Sequence, residues 1–148
     1  MQLTRFTDLG LRVLMYLTQH ERSEPVTSAE IASQFDVPHN HMIKVVHKLG
    51  KLGWISTQRG RHGGLRLAVA PGQLRLGEVL RALEASDELV DCDTPPCVLR
   101  GRCLLKSALN DGLAAFHRKM DEYTLADVCK SRTGAALLTL HRKLVTTD

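Results

Sequence analysis

Phe6, Leu9, Val13, Leu14 and Leu17 recur at intervals of three and four, which predicts an amphipathic helix from Thr4 to Thr18. Thr4 or Thr7 can cap it, and Asp8 then falls near the positive end of its dipole. A polar connection containing Pro25 follows. Thr27-Ser28-Ala29-Glu30 has the hydroxyl-then-carboxylate spacing of a capping box, and it opens a short helix with Ile31, Ala32 and Phe35 apolar. That helix must stop near Pro38, because the residue before a proline avoids helical torsions. A third helix is predicted from about Pro38 to Leu52, with Met42, Val45, Val46, Leu49 and Leu52 facing inward.

Two short helices joined by a tight turn form a helix-turn-helix pattern. Gly53 ends the second of them. Residues 54–57 and 65–69 read as strands around a glycine-rich basic loop, which adds a wing. Trp54 is expected in the core. After Pro71-Gly72, Leu76, Val79, Leu80 and Leu83 mark another short helix. Residues 86–102 show no period and read as a functional loop. From about Leu104 a long helix carries Leu109, Leu113, Phe116, Met120 and Tyr123 at heptad spacing. Such a seam packs on a partner helix or on the chain's own core, and its independence from the winged domain favours the partner. Thr124-Leu125-Ala126-Asp127 offers a new cap, and residues 131–148 are weakly helical. The fold class is therefore mainly α with a small β-hairpin. The expected division is a winged helix-turn-helix over residues 1–75 and a cysteine loop with a long dimerisation helix over residues 76–148.

Charge sharpens this picture. The chain has 148 residues and a formal net charge of +4, yet the stretch from Val37 to Gly77 holds seven Lys and Arg and no acid. Concentrated basicity on a helix-turn-helix is the footprint of a nucleic-acid site. His39, Asn40, His41, Lys44, Lys48 and Lys51 lie on the presumed recognition helix, with Ser28 at the start of the preceding one. Asn suits adenine and Lys suits guanine or phosphate in the major groove, while Arg59, Arg61 and His62 at the wing suit a narrow minor groove. The histidines read as polar surface residues rather than metal ligands.

Apolar runs are too short for a membrane helix, and no export signal opens the chain, so a cytoplasmic protein is expected. Phosphate-cradling glycine loops, nucleophile elbows and paired catalytic carboxylates are absent from the sequence, so no enzyme activity is expected.

Cys92, Cys97 and Cys103 fall within one loop at a spacing unlike the paired cysteines of structural zinc sites. The spacing favours an iron–sulfur cluster, with zinc or simple redox thiols as alternatives. Cys129 reads as a small buried residue.

Four segments carry a resemblance: Phe6 to Arg12, Asn40 to Val45, Arg59 to Leu67 and Tyr123 to Asp127. With the cysteine loop they extend to about Val128. The chain resembles the IscR/NsrR family of iron–sulfur winged-helix regulators, which includes nitric-oxide-sensing repressors. The resemblance implies a homodimer on double-stranded operator DNA and a cluster held by Cys92, Cys97 and Cys103. It implies a remaining ligand near the N-terminus of the partner subunit, which maps onto Asp8; the residue-level alternative is a helix-start carboxylate. Lys106 stands where IscR-like members carry histidine, which favours [4Fe–4S] over [2Fe–2S]. Nitric oxide would damage the cluster and release the operator. Alternatives are a regulator of iron–sulfur assembly or iron supply, a zinc-stabilised repressor, and a small iron–sulfur redox protein.

Overall fold

The computed structural model describes residues 2–19, 24–58, 60, 63–86 and 88–145. The first helix, α1 (Arg5–Thr18), starts where Thr4 Oγ1 accepts the Thr7 amide at 3.2 Å. Its apolar stripe is wide: Leu9, Val13, Leu14, Tyr16 and Leu17 are all buried. Helix α2 (Ser28–Gln34) is capped by Thr27, whose hydroxyl accepts the Glu30 amide at 3.1 Å. Glu30 Oε1 in turn accepts the Tyr16 hydroxyl at 2.6 Å, which ties α2 to α1. Asp36, at φ 49°, makes the tight turn into α3 (His39–Lys51).

At the end of α3 the chain reverses through Gly53, whose φ of 74° suits a residue without a Cβ. The Trp54 amide donates to the Leu49 carbonyl at 3.1 Å. This shifts the first strand by one residue from the predicted 54–57, because Trp54 closes the helix instead of opening the ladder. The strands are β1 (Ile55–Gln58) and β2 (Gly64–Leu67), antiparallel, with Ile55 opposite Leu67 and Gln58 opposite Gly64. On the far side of β2, Leu65 donates to the Val26 carbonyl at 2.8 Å, so the segment before α2 extends the wing. Trp54 is in the core as expected.

A 3-10 turn at Pro71–Gln73 leads to α4 (Leu76–Leu83). The helix α4 approaches α1 closely at Gly10, where an added Cβ would lie 2.5 Å from Leu83 Cδ1. The cysteine loop follows, and then α5 (Leu104–Met120), the long helix expected from the sequence. Its seam does not reach Tyr123, which lies past the helix end. Leu113 and Phe116 share a hollow of about 300 Å³ with Leu80 and Glu84, so this part of the seam faces α4 of the same chain. Even so, none of the residues of α5 is fully buried.

Two short elements complete the chain. Helix α6 (Leu125–Val128) begins with a full capping box between Thr124 and Asp127. Helix α7 (Ser131–Val145) occupies the tail for which the sequence offered little. It buries Leu137 and His141. The His141 ring stacks on Tyr16 with centroids 3.9 Å apart, and its Nε2 lies 2.9 Å from the Tyr16 carbonyl. A carbonyl only accepts, so Nε2 carries the proton. Nδ1 is buried with no hydrogen-bond partner among the described residues.

The link between α4 and the end of α5 is ionic. Arg81 grips both oxygens of Asp121 at 2.8 and 3.0 Å, and Arg75 donates to the Asp121 carbonyl at 2.7 Å. The Arg81 hydrogen bonds hold the Asp121 carboxyl below its ordinary value. A depressed carboxyl stabilises the fold above its unfolded pKa, and that contribution is lost as pH falls through the folded one. Asp121→Asn is therefore expected to melt lower near neutral pH and to lose less stability than wild type below about pH 4. Thermal melts across that range test it, and two parallel stability curves would show that the fork contributes no pH dependence.

Candidate functional site

Helix α3 divides into two faces. Met42, Val45 and Leu49 are buried against the core, while His39, Asn40, His41, Lys44, Lys48 and Lys51 are exposed on the other side. No acidic residue interrupts α3. Ser28 Oγ meets His39 Nε2 at 3.0 Å, which joins the start of α2 to the start of α3. The structure thus gathers the predicted residues of α2 and α3 on one surface. Arg59, Arg61 and His62 lie outside the described residues; the strands that bracket them pair up to Gln58 and Gly64. The sequence reading omitted Arg5. It lines a hollow of about 180 Å³ together with His41 and Lys44, between α1 and α3. Only the folded chain brings it beside the basic segment.

The second constellation is the cysteine loop. Its backbone is pinned by its own hydrogen bonds: Cys97 donates to the Cys92 carbonyl at 3.0 Å, and Arg100 to the Cys97 carbonyl at 3.1 Å. Asp91 Oδ1 accepts the amides of Asp93 and Thr94 at 2.8 and 3.1 Å, which lowers the Asp91 pKa from its usual value. Cys103 is the N-cap of α5. Cys92, Cys97 and Cys103 are free thiols, and all three line one cavity of about 420 Å³.

The rest of that cavity wall includes Arg100, Arg102, Lys106, Ser107 and Asn110. Its other polar lining is cationic or neutral, so the thiols are the soft donors it offers. Glu88 accepts from Lys106 Nζ at 3.1 Å and raises the lysine pKa, which keeps that rim residue charged. Among the described residues, no three His, Cys, Asp or Glu side chains converge on a single metal-ion position. The thiols instead stand around a shared space, which fits a group whose irons are themselves spread apart. Cationic neighbours suit the negative charge that thiolates and sulfides bring to such a group.

Asp8 is not part of this cavity in its own chain. Its carboxylate makes a fork with Arg12, Nε to Oδ1 at 3.1 Å and Nη2 to Oδ2 at 3.0 Å. Arg12 also stands over the Phe35 ring at 5.6 Å. Cys129 is buried at the end of α6, away from the other three, and burial pushes its thiol pKa up.

The Rrf2 family, described as iron-dependent transcriptional regulators, matches residues 3–131. The chain belongs to this family. Curated relatives align with this Rrf2 chain over most of its length. An HTH-type transcriptional regulator NsrR from Geobacillus kaustophilus (strain HTA426) is 41% identical over 146 residues, which span 97% of this chain and 99% of that protein. The NsrR regulator of Bacillus subtilis (strain 168) is 38% identical over 135 residues, 89% of this chain and 92% of that one. Among solved structures, CymR, the global cysteine regulator of B. subtilis, matches with a TM-score of 0.69 at 22% identity, over 86% of this chain and 95% of that one. T. potens IscR matches with a TM-score of 0.68 at 23% identity, over 86% and 85%. These two likenesses show the fold, a mostly helical chain with a winged helix. No helix among the described residues of this Rrf2 protein is long and apolar enough to cross a membrane.

The exposed face of α3 makes a separable prediction. Lys48→Ala is expected to weaken binding to every duplex alike and to lower the salt dependence by about one contact. Asn40→Ala is expected to cost about 1–3 kcal/mol on the preferred sequence and little on random DNA. Binding titrations on both duplexes at several salt concentrations measure this; identical losses for the two variants would overturn the division.

Proposed function

We propose that this transcriptional regulator binds a palindromic operator as a homodimer and represses it while Cys92, Cys97 and Cys103 hold an iron–sulfur cluster that senses nitric oxide. The observation that carries the reading is the single cavity lined by all three thiols, with a cationic rim and no carboxylate in its lining. The naming of its relatives as NsrR and the iron dependence in the family description support it. A [4Fe–4S] group is favoured over [2Fe–2S], because three thiolates leave one iron for a different ligand and Lys106 supplies no imidazole. When bound, the cluster supplies an iron corner at which nitric oxide can react.

The chain's own residues then do the rest. Residues 1–75 form the reading head, with Ser28, His39, Asn40, His41, Lys44, Lys48 and Lys51 against the major groove and Arg59, Arg61 and His62 at the wing. Residues 76–148 carry the cysteine loop and the dimer helix. Asp8 closes the site across the dimer: a hard carboxylate beside soft thiolates is the exchangeable corner. With Asp8 engaged, α1 is tied to the other subunit's loop. With Asp8 returned to Arg12, α1 is held by its own chain alone. Helix α1 packs directly on α3, so its orientation reaches the reading head without an intermediate element.

Anaerobically purified protein is expected to be brown, and nitric oxide to bleach it and lower operator affinity together. Cluster-loaded Asp8→Ala protein is expected to keep iron and sulfide, to show a shifted spectrum and to bind the operator as weakly as cluster-free wild type. Loaded Asp8→Ala with wild-type affinity and spectrum would remove Asp8 from the site. A colourless protein with tightly held zinc, whose operator affinity nitric oxide leaves unchanged, would overturn the sensor reading as a whole.

A further inference from the structure

Arg5, His41 and Lys44 come from two helices and face one hollow. Arg5 is the first residue of α1, and the other two lie on the exposed face of α3. The hollow's floor is apolar, built from Phe6, Leu9 and Val45. No carboxylate lines it: Asp8, one turn along α1, is turned to Arg12. A guanidinium, an amine and an imidazole share a wall without an acidic partner there. Such a grouping repels itself and gains from an anion placed between its members. The arginine stem can lie along the apolar floor while its guanidinium reaches outward. A guanidinium so placed suits the paired oxygens of a phosphodiester.

We propose that Arg5 is a contact for a backbone phosphate of duplex DNA, acting with Lys44 along the α1 edge of the recognition helix. The contact fixes the position of the protein on the duplex and reads no base. It rests on the reading of α3 as the element in the major groove. It widens the interface beyond the helix-turn-helix and the wing, to a residue more than thirty positions upstream of the basic segment.

The test is a salt titration of binding by the full-length dimer, on operator and on random duplex of the same length. Arg5→Gln is expected to lower the slope of log affinity against log salt by about 0.9 on both duplexes. Arg5→Lys is expected to keep the wild-type slope. Arg5 is exposed, so both variants are expected to give the wild-type circular-dichroism melt, which checks that the fold is intact. An Arg5→Gln slope equal to wild type, or a loss confined to the operator, would overturn the phosphate contact and leave the interface on α3 standing. A wild-type slope that is itself flat would overturn both readings.

Discussion

Burial of α1 is the constraint on which the rest of this chain depends. Val13, Leu14 and Tyr16 are wholly inaccessible to solvent, and α3, β2, α4 and α6 all pack on this one helix. Tyr16 shows how far the dependence goes. Its hydroxyl donates to Glu30 of α2, its ring edge meets Phe35 at 6.0 Å, and its face carries His141 of α7. A single side chain thus touches α2, the first helix of the helix-turn-helix, and α7, the final helix among the described residues. Interiors packed to this density transmit displacement, because no neighbour can move without another filling its place.

The cysteine loop follows a different logic. It has little regular structure, yet its turns close on backbone bonds and on the Asp91 carboxylate, and salt bridges such as Arg100 to Asp93 lie at its surface. Exposed pairs of that kind add little stability individually. What they do is narrow the arrangements available to a long loop, so that three thiols remain around the same space. The α1 N-terminus is close by: Glu84, at the end of α4, accepts the Thr4 amide at 2.9 Å. The chain therefore enters the cysteine loop from a point anchored to the helix that carries Asp8 and Arg5.

The parts visible in the sequence were those with a local signal. Thr27, Pro38 and Gly53 punctuate the helix-turn-helix, and each does in the structure what its chemistry dictates. Asn40, Lys44, Lys48 and Lys51 repeat at helical spacing, so their common face was legible. The one-residue shift at Trp54 was not, because an amide that closes a helix and one that opens a strand look alike in sequence. Arg5 was missed because its neighbours His41 and Lys44 are distant along the chain. The cysteines announced their chemistry by residue type, but the shared cavity depends on how the loop folds back. Helix α7 was legible only as a weakly helical tail, because its buried positions include His141, a residue that counts as polar in any periodicity. The Ser131 backbone, at a φ of 51°, also breaks the usual pattern of a helix start.

That final helix has a consequence for where this protein can be cut. The match to the family as a whole stops at residue 131, which is where α7 begins. A fragment trimmed to that boundary would keep every residue of the reading head and of the cysteine loop. It would nevertheless strip the lid from Tyr16, leave that ring facing water, and open a gap where Leu137 had filled the interior. The border of the family match and the border drawn by packing are different borders, and the second is the one the fold obeys.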